Sequence, residues 1–145
     1  MNVIILVGLP GSGKSTVAAK YFPNYTRISQ DVLGTRGKCL EFMANQLAQN
    51  DDVIVDRANI NKEQRKFWIN LALGFGAKNV TCIYLDVPEE ECIARIHVRK
   101  GHETIAEEMP LEKKRSIVYN FNKSFELPTL SEGFSTVVIT RNFDR

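Results

Sequence analysis

The sequence predicts an α/β fold, a five-stranded parallel sheet with helices on both faces. Short apolar runs recur at Val3 to Val7, near Arg27 to Ser29, at Val53 to Val55, at Val80 to Leu85 and at Thr136 to Ile139. They are continuous rather than alternating, as strands buried on both faces require, and segments of helical spacing separate them. Strand and helix in alternation imply right-handed crossovers, with any ligand beyond the carboxyl ends of the strands.

The first run is buried-strand material and leads into Gly8-Leu9-Pro10-Gly11-Ser12-Gly13-Lys14-Ser15, followed by Thr16. This is a complete Gly-x-x-x-x-Gly-Lys-Ser/Thr phosphate loop, and Ser15 to Tyr21 continues it as a helix. The glycines let backbone N–H groups turn inward around an anion through conformations that a Cβ obstructs. Lys14 reaches the outer phosphates, Ser15 offers a hydroxyl to Mg²⁺, and the helix directs its positive end at the same anion. The loop and its strand-to-helix setting point to a nucleoside triphosphate, ATP or another NTP, with Mg²⁺. Between the second and third runs Cys39, Leu40, Phe42, Met43 and Leu47 recur at helical spacing, and Phe67, Trp68, Leu71, Ala72 and Phe75 do so after the third. Both sets read as core-packing helix faces. From Lys100 to Pro110 the pattern breaks around Gly101 and His102 before a basic helix begins near Leu111, the position of a helical lid.

At 145 residues the chain reads as one domain, residues 1–145. A net charge of +2 is too small to mark a nucleic-acid binder by itself, so any polyanion site must come from local clustering. Cys39, Cys82 and Cys92 are odd in number and lack ligand spacing with His97 or His102, which argues against a disulfide framework or a zinc site. An intracellular compartment, cytoplasmic or nuclear, is expected, and a monomer. No stretch is long and apolar enough to span a membrane, and the first apolar run is a strand rather than a leader.

Three further groups bear on chemistry. Asp31 follows the second strand through Ser29-Gln30, at the carboxyl edge of the sheet beside the loop. A carboxylate there can take the proton from an attacking hydroxyl; equally, it can cap the next helix. Asp56 ends the third strand, where phosphate-loop proteins carry the acidic residue that meets Mg²⁺ directly or through water. Arg57 and Asn59 beside it make a second polar cluster at the same edge. Arg95 and Arg99 lie four apart on one helix face, where they can close on a triphosphate, or else form a solvated surface. Arg36, Lys38, Arg57, Lys62, Arg65 and Lys66 follow the two carboxylates and could line a groove for a phosphodiester chain.

Together these residues resemble the polynucleotide 5′-hydroxyl kinase family, most of all the kinase domain of animal polynucleotide kinase-phosphatases. Gly8 to Thr16 has the family's Gly-x-Pro-Gly-x-Gly-Lys-Ser-Thr loop. Asp31-Val32-Leu33-Gly34 followed by Cys39 is similar to the segment that begins with the family's catalytic aspartate. Val55-Asp56-Arg57-Ala58-Asn59 resembles its Asp-x-Thr-Asn motif, and Arg95 with Arg99 its paired lid arginines. Tyr119, Lys123, Phe125-Glu126, Pro128-Thr129-Leu130 and Glu132-Gly133-Phe134-Ser135 reproduce its C-terminal signature in order and spacing. The resemblance implies a P-loop NTPase fold and transfer of the ATP γ-phosphate to a 5′-hydroxyl end of DNA or RNA. It implies Asp31 as general base, Lys14 and Arg99 on the transferring group, and Ser15 on Mg²⁺.

The chain departs from that pattern at Ala58, where the motif has threonine, and at Gln30, where the family commonly has Arg or Asn. Gly34 stands where the phage enzyme has an arginine, leaving Arg36 or Lys38 to supply that charge. Ala58 and Gln30 lie on the acceptor side. No aspartate-rich phosphatase motif is present, so removal of 3′-phosphates is not expected of this chain. The competing readings are a small-molecule kinase of the same fold, acting on a nucleoside, nucleotide sugar or antibiotic hydroxyl, and a non-catalytic ATP-binding module.

Overall fold

The computed structural model describes residues 1–98 and 109–143, with Asp31 in its backbone only. Five parallel strands form one sheet: β1 (Asn2–Val7), β2 (Thr26–Ser29), β3 (Val53–Asp56), β4 (Asn79–Leu85) and β5 (Thr136–Thr140), in the order β2-β3-β1-β4-β5. Among the described residues six α-helices accompany them: α1 (Lys14–Tyr21), α2 (Gln30–Leu33), α3 (Arg36–Ala48), α4 (Lys62–Gly74), α5 (Glu89–Val98) and α6 (Leu111–Lys123). All five predicted strands are present, within a residue or two of their expected limits. The predicted lid, from Lys100 to Pro110, falls almost wholly outside the described residues, as does Arg99.

The period of two along each strand divides the core into two layers. Val3, Ile5 and Val7 of β1 face one side with Ile28, Val53, Val55, Val80 and Cys82. That layer meets Cys39, Met43 and Leu47 of α3 and Trp68, Ile69 and Ala72 of α4. Ile4 and Leu6 face the other side with Ile54, Ile83 and Leu85, against Val17 and Ala18 of α1, Cys92, Ile93 and Ile96 of α5 and Val118 of α6. The sheet is therefore covered on both faces, as continuous apolar strands demand. All three cysteines are free and buried. Among the described residues no helix is long and apolar enough to cross a membrane.

The strand order places the site. The chain leaves central β1 for edge strand β2, returns to β3 on one flank of β1, then crosses to β4 on the other. Strand succession thus reverses about β1, and a crevice opens beyond its carboxyl end. The phosphate loop follows β1 directly, and β3 delivers Asp56 beside it.

Candidate active site

The loop's backbone depends on two glycines. Gly11 has φ +85°, and a Cβ there would come within 2.5 Å of the Cys92 carbonyl; Gly13, with φ +100°, is the N-terminal cap residue of α1. Both conformations lie in the left-handed region that L side chains resist. The Lys14 ammonium donates to the carbonyls of Gly8 and Leu9, each at 2.9 Å, and so lies folded along the inner edge of the loop. Ser12 and Pro10 are both buried. Thr16 is exposed on the first turn of α1.

Ser15 and Asp56 are brought together as the sequence predicts, with Ser15 Oγ 3.1 Å from Asp56 Oδ2. The donor set suits Mg²⁺. That ion takes one or two protein oxygens and completes its shell with water and phosphate, and among the described residues there is no cage of three or more acidic, His or Cys groups. Ser29 pairs with Asp56 in the β2–β3 register, so the two share a sheet face. Its buried Oγ has no hydrogen-bond partner among the described residues, an orphaned oxygen beside the carboxylate. Ser15, with Asp56 behind it, would hold the metal.

Arg27 enters this pair unannounced by any motif: its Nε donates to Asp56 Oδ2 at 2.7 Å and its Nη2 to Ser15 Oγ at 3.1 Å. Arg95 leans on the loop from α5, donating from Nη1 to the Ser12 carbonyl at 3.3 Å and from Nη2 to Glu91 at 3.1 Å. Arg141, past the end of β5, also donates to Glu91, at 3.1 Å. Between these arginines and α1 lies a cavity of about 480 Å³ lined by Gly13, Thr16, Tyr21, Arg95, Arg141 and Phe143, among others. Its position, flanking the phosphate loop, and its mixed aromatic and cationic lining suit the base and ribose of a nucleotide. Arg141 and Phe143 lacked any sequence signal, because only the end of β5 brings them here. Burial pushes the nearby Cys92 thiol up to about 11, against the pull of Lys14 and Arg95, so it stays a protonated packing group.

Beyond the ends of β2 and β3 the predicted residues fall into distinct environments. Asp31 is the second residue of α2, which starts directly where β2 ends. The helix after it, α3, is capped by Thr35, whose hydroxyl accepts from the Lys38 N–H at 3.1 Å. Arg57 donates to Gln30 Oε1 at 2.8 Å and lies 5.5 Å from the Trp68 ring, so the residue that departs from the family pattern has a partner. Arg36 stacks on Phe67 at 4.1 Å, and Lys38, Lys62 and Lys66 are exposed.

Two residues are not where the sequence placed them. Arg65 is fully buried, its Nε and Nη2 paired with the two Glu132 oxygens at 2.8 and 3.1 Å and its Nη1 donating to the Asn59 carbonyl at 2.9 Å. It cannot touch an acceptor chain. Asn59, 2% exposed and at φ +51°, turns its amide inward: Nδ2 donates to the Leu6 and Arg57 carbonyls and Oδ1 accepts from Trp68 Nε1. With the Gly8 N–H bonded to the Ala58 carbonyl, Asn59 fixes the β3–α4 loop to the end of β1 rather than presenting an amide to a substrate.

The C-terminal signature proves to be the buttress beneath that loop. Glu126 donates its N–H to the Ile60 carbonyl, and its carboxylate accepts from the Lys62 N–H. Glu132 closes a capping box with Thr129 while holding Arg65, and Gly133 turns the chain at φ +117°. Phe134 enters the core, and Ser135 exchanges two hydrogen bonds with Val80.

Comparison with known proteins agrees with this architecture. Residues 3–38 and 35–128 match the AAA domain family. A bifunctional polynucleotide phosphatase/kinase of Schizosaccharomyces pombe is 34% identical over 141 residues, covering 94% of this chain and 32% of that protein. Transcription factor bHLH140 of Arabidopsis thaliana is 34% identical over 146 residues, covering 94% of this chain and 15% of that one. The chain thus spans a third or less of the length of these relatives. Among solved structures, Chaetomium thermophilum Kti12 in complex with ADP-AlF3 superposes with a TM-score of 0.71 at 18% identity, covering 99% of this chain and 90% of that one. The chain belongs to the AAA domain family and has the P-loop kinase fold, similar over nearly its whole length to part of a polynucleotide phosphatase/kinase.

Proposed function

We propose that this chain is an ATP-dependent kinase that transfers the γ-phosphate to the 5′-hydroxyl end of DNA or RNA. The observation that carries the reading is the convergence at one sheet edge of the phosphate loop, the Ser15–Asp56 pair and α2 with Asp31. The similarity to a polynucleotide phosphatase/kinase supports the choice of acceptor.

The loop N–H groups and Lys14 hold the β- and γ-phosphates, while the cavity beside Arg95 and Arg141 receives the base. The acceptor hydroxyl lies against α2, and its oxygen attacks the γ-phosphorus in line as its proton passes to the Asp31 carboxylate. The bond from γ-phosphorus to the bridging oxygen breaks and ADP departs. Ser15, with Asp56 behind it, would hold Mg²⁺, which would supply charge neutralisation on the phosphate oxygens. Arg95 and Arg99 offset the charge that spreads over the transferring group. Arg36, Lys38 and Arg57 lie on the acceptor side, where cations can meet the terminal phosphodiesters.

Radiolabel transfer from γ-labelled ATP to 5′-hydroxyl DNA, 5′-hydroxyl RNA, a 3′-mononucleotide and free nucleosides tests this. Label on the polynucleotide ends is expected. Label on nucleosides alone would replace the reading with that of a small-molecule kinase, and none on any acceptor, with ATP bound, would leave a binding module.

A further inference from the structure

Arg27 occupies an unusual position for a cation. It sits on edge strand β2, on the sheet face shared by Ser29 and Asp56. Its guanidinium contacts the two oxygens best suited to a metal, Asp56 Oδ2 at 2.7 Å and Ser15 Oγ at 3.1 Å. Those oxygens are themselves 3.1 Å apart, so the Ser15 hydroxyl donates to Asp56 and turns a lone pair toward Arg27. The Asp56 side chain is 4% exposed and that of Arg27 30%.

The physical conflict is direct. A carboxylate this buried needs a counter-charge, and the guanidinium supplies it. A divalent ion on Ser15 would come within a few ångströms of the same guanidinium and compete for the same lone pair. Two cations at that separation repel strongly in a partly buried site. Asp56 is held by the sheet, whereas Arg27 reaches the site on a long side chain from the edge strand, so Arg27 is the group that can move.

We propose that Arg27 is a resident counter-ion for the Ser15–Asp56 pair, keeping the two oxygens in register and yielding its place when magnesium and nucleotide arrive. Metal binding is then coupled to displacement of a protein cation, and Arg27 sets the magnesium concentration at which the site loads. It is a positioning residue, and its role rests on the reading that nucleotide and Mg²⁺ meet at this loop.

The test is a magnesium titration of binding to a fluorescent ADP analogue, without acceptor, for the wild-type chain and for Arg27→Met, Arg27→Gln and Arg27→Lys. The neutral variants should load at magnesium concentrations at least about tenfold lower, the scale of a close charge pair. Arg27→Lys should stay near wild type. A midpoint that stays put or rises in the neutral variants would overturn the proposal. Should the neutral variants not fold, the wild-type Arg27 Nε–H resonance gives the answer: magnesium plus ADP should abolish its protection from exchange, and retained protection would refute displacement. If the wild-type chain binds no nucleotide at any magnesium concentration, the proposed function fails and this inference with it. Binding with an unmoved midpoint removes the inference alone.

Discussion

Replacing Arg65 by methionine separates a structural cation from an acceptor-binding one. Arg65 meets Glu132 through a two-pronged contact of 2.8 and 3.1 Å, with side-chain exposures of 0% and 8%, and its third donor satisfies the Asn59 carbonyl. Methionine fills much of the volume but leaves Glu132 with the Thr129 N–H and no counter-charge, and strips the Asn59 carbonyl of this donor. Removing one partner of such a buried pair costs about 3–5 kcal/mol. An unfolding entropy of about 2.1 cal/mol/K per residue gives about 0.3 kcal/mol/K for 145 residues. The melting temperature should therefore fall by roughly 10–16 °C. Thermal unfolding followed by circular dichroism measures this, and Arg65→Met with Glu132→Leu should recover much of the loss, because neither charge is then stranded. A single variant that melts within about 3 °C of wild type and is impaired only toward its acceptor would refute the structural role.

Three other outcomes follow from the same geometry. Lys14→Ala should abolish nucleotide binding and transfer with the circular dichroism spectrum unchanged, since the ammonium lies along the loop rather than in the core; a folded variant with near-normal activity would remove the assigned site. Asp31→Asn should lower the chemical step by about 10²- to 10⁴-fold with nucleotide affinity intact, and single-turnover kinetics would show an unchanged rate if the carboxylate is not the base. Burial pushes the Cys82 thiol up to about 12 and that of Cys92 to about 11, from 9.0. The unfolded chain releases those protons first. Stability should therefore hold below pH 9 and fall as pH rises from 9 toward 11–12, and denaturation midpoints that stay flat across that range would contradict it.

What the sequence disclosed, and what it hid, divides by the range of the interaction. Strands and phosphate loop are legible because their signals are local: a continuous apolar run, a glycine octet, a helical repeat. The buried stripe of α4 runs through Arg65, Trp68, Ile69 and Ala72, at the spacing of one helix face. By charge alone Arg65 groups with Lys62 and Lys66, against that periodicity. Asn59 read as a polar site residue because its partners, Leu6 and Trp68, lie on other elements. Arg27 gave no signal, since only the β2–β3 register and the reach of its side chain bring it to Ser15 and Asp56. The C-terminal signature was visible as a pattern, but its reason, a buttress for the β3–α4 loop, required the tertiary contacts of Glu126 and Glu132.

The acceptor is the central claim, and the dependence of kcat/KM on acceptor length, at low and high salt, tests it most directly. If Arg36, Lys38 and Arg57 meet a phosphodiester backbone, kcat/KM should climb from nucleoside through 3′-mononucleotide to oligonucleotides of several residues. The advantage of length should shrink as salt rises, because each phosphate contact releases a counterion. A free nucleoside used as well as an oligonucleotide, with no effect of length or salt, would contradict the account.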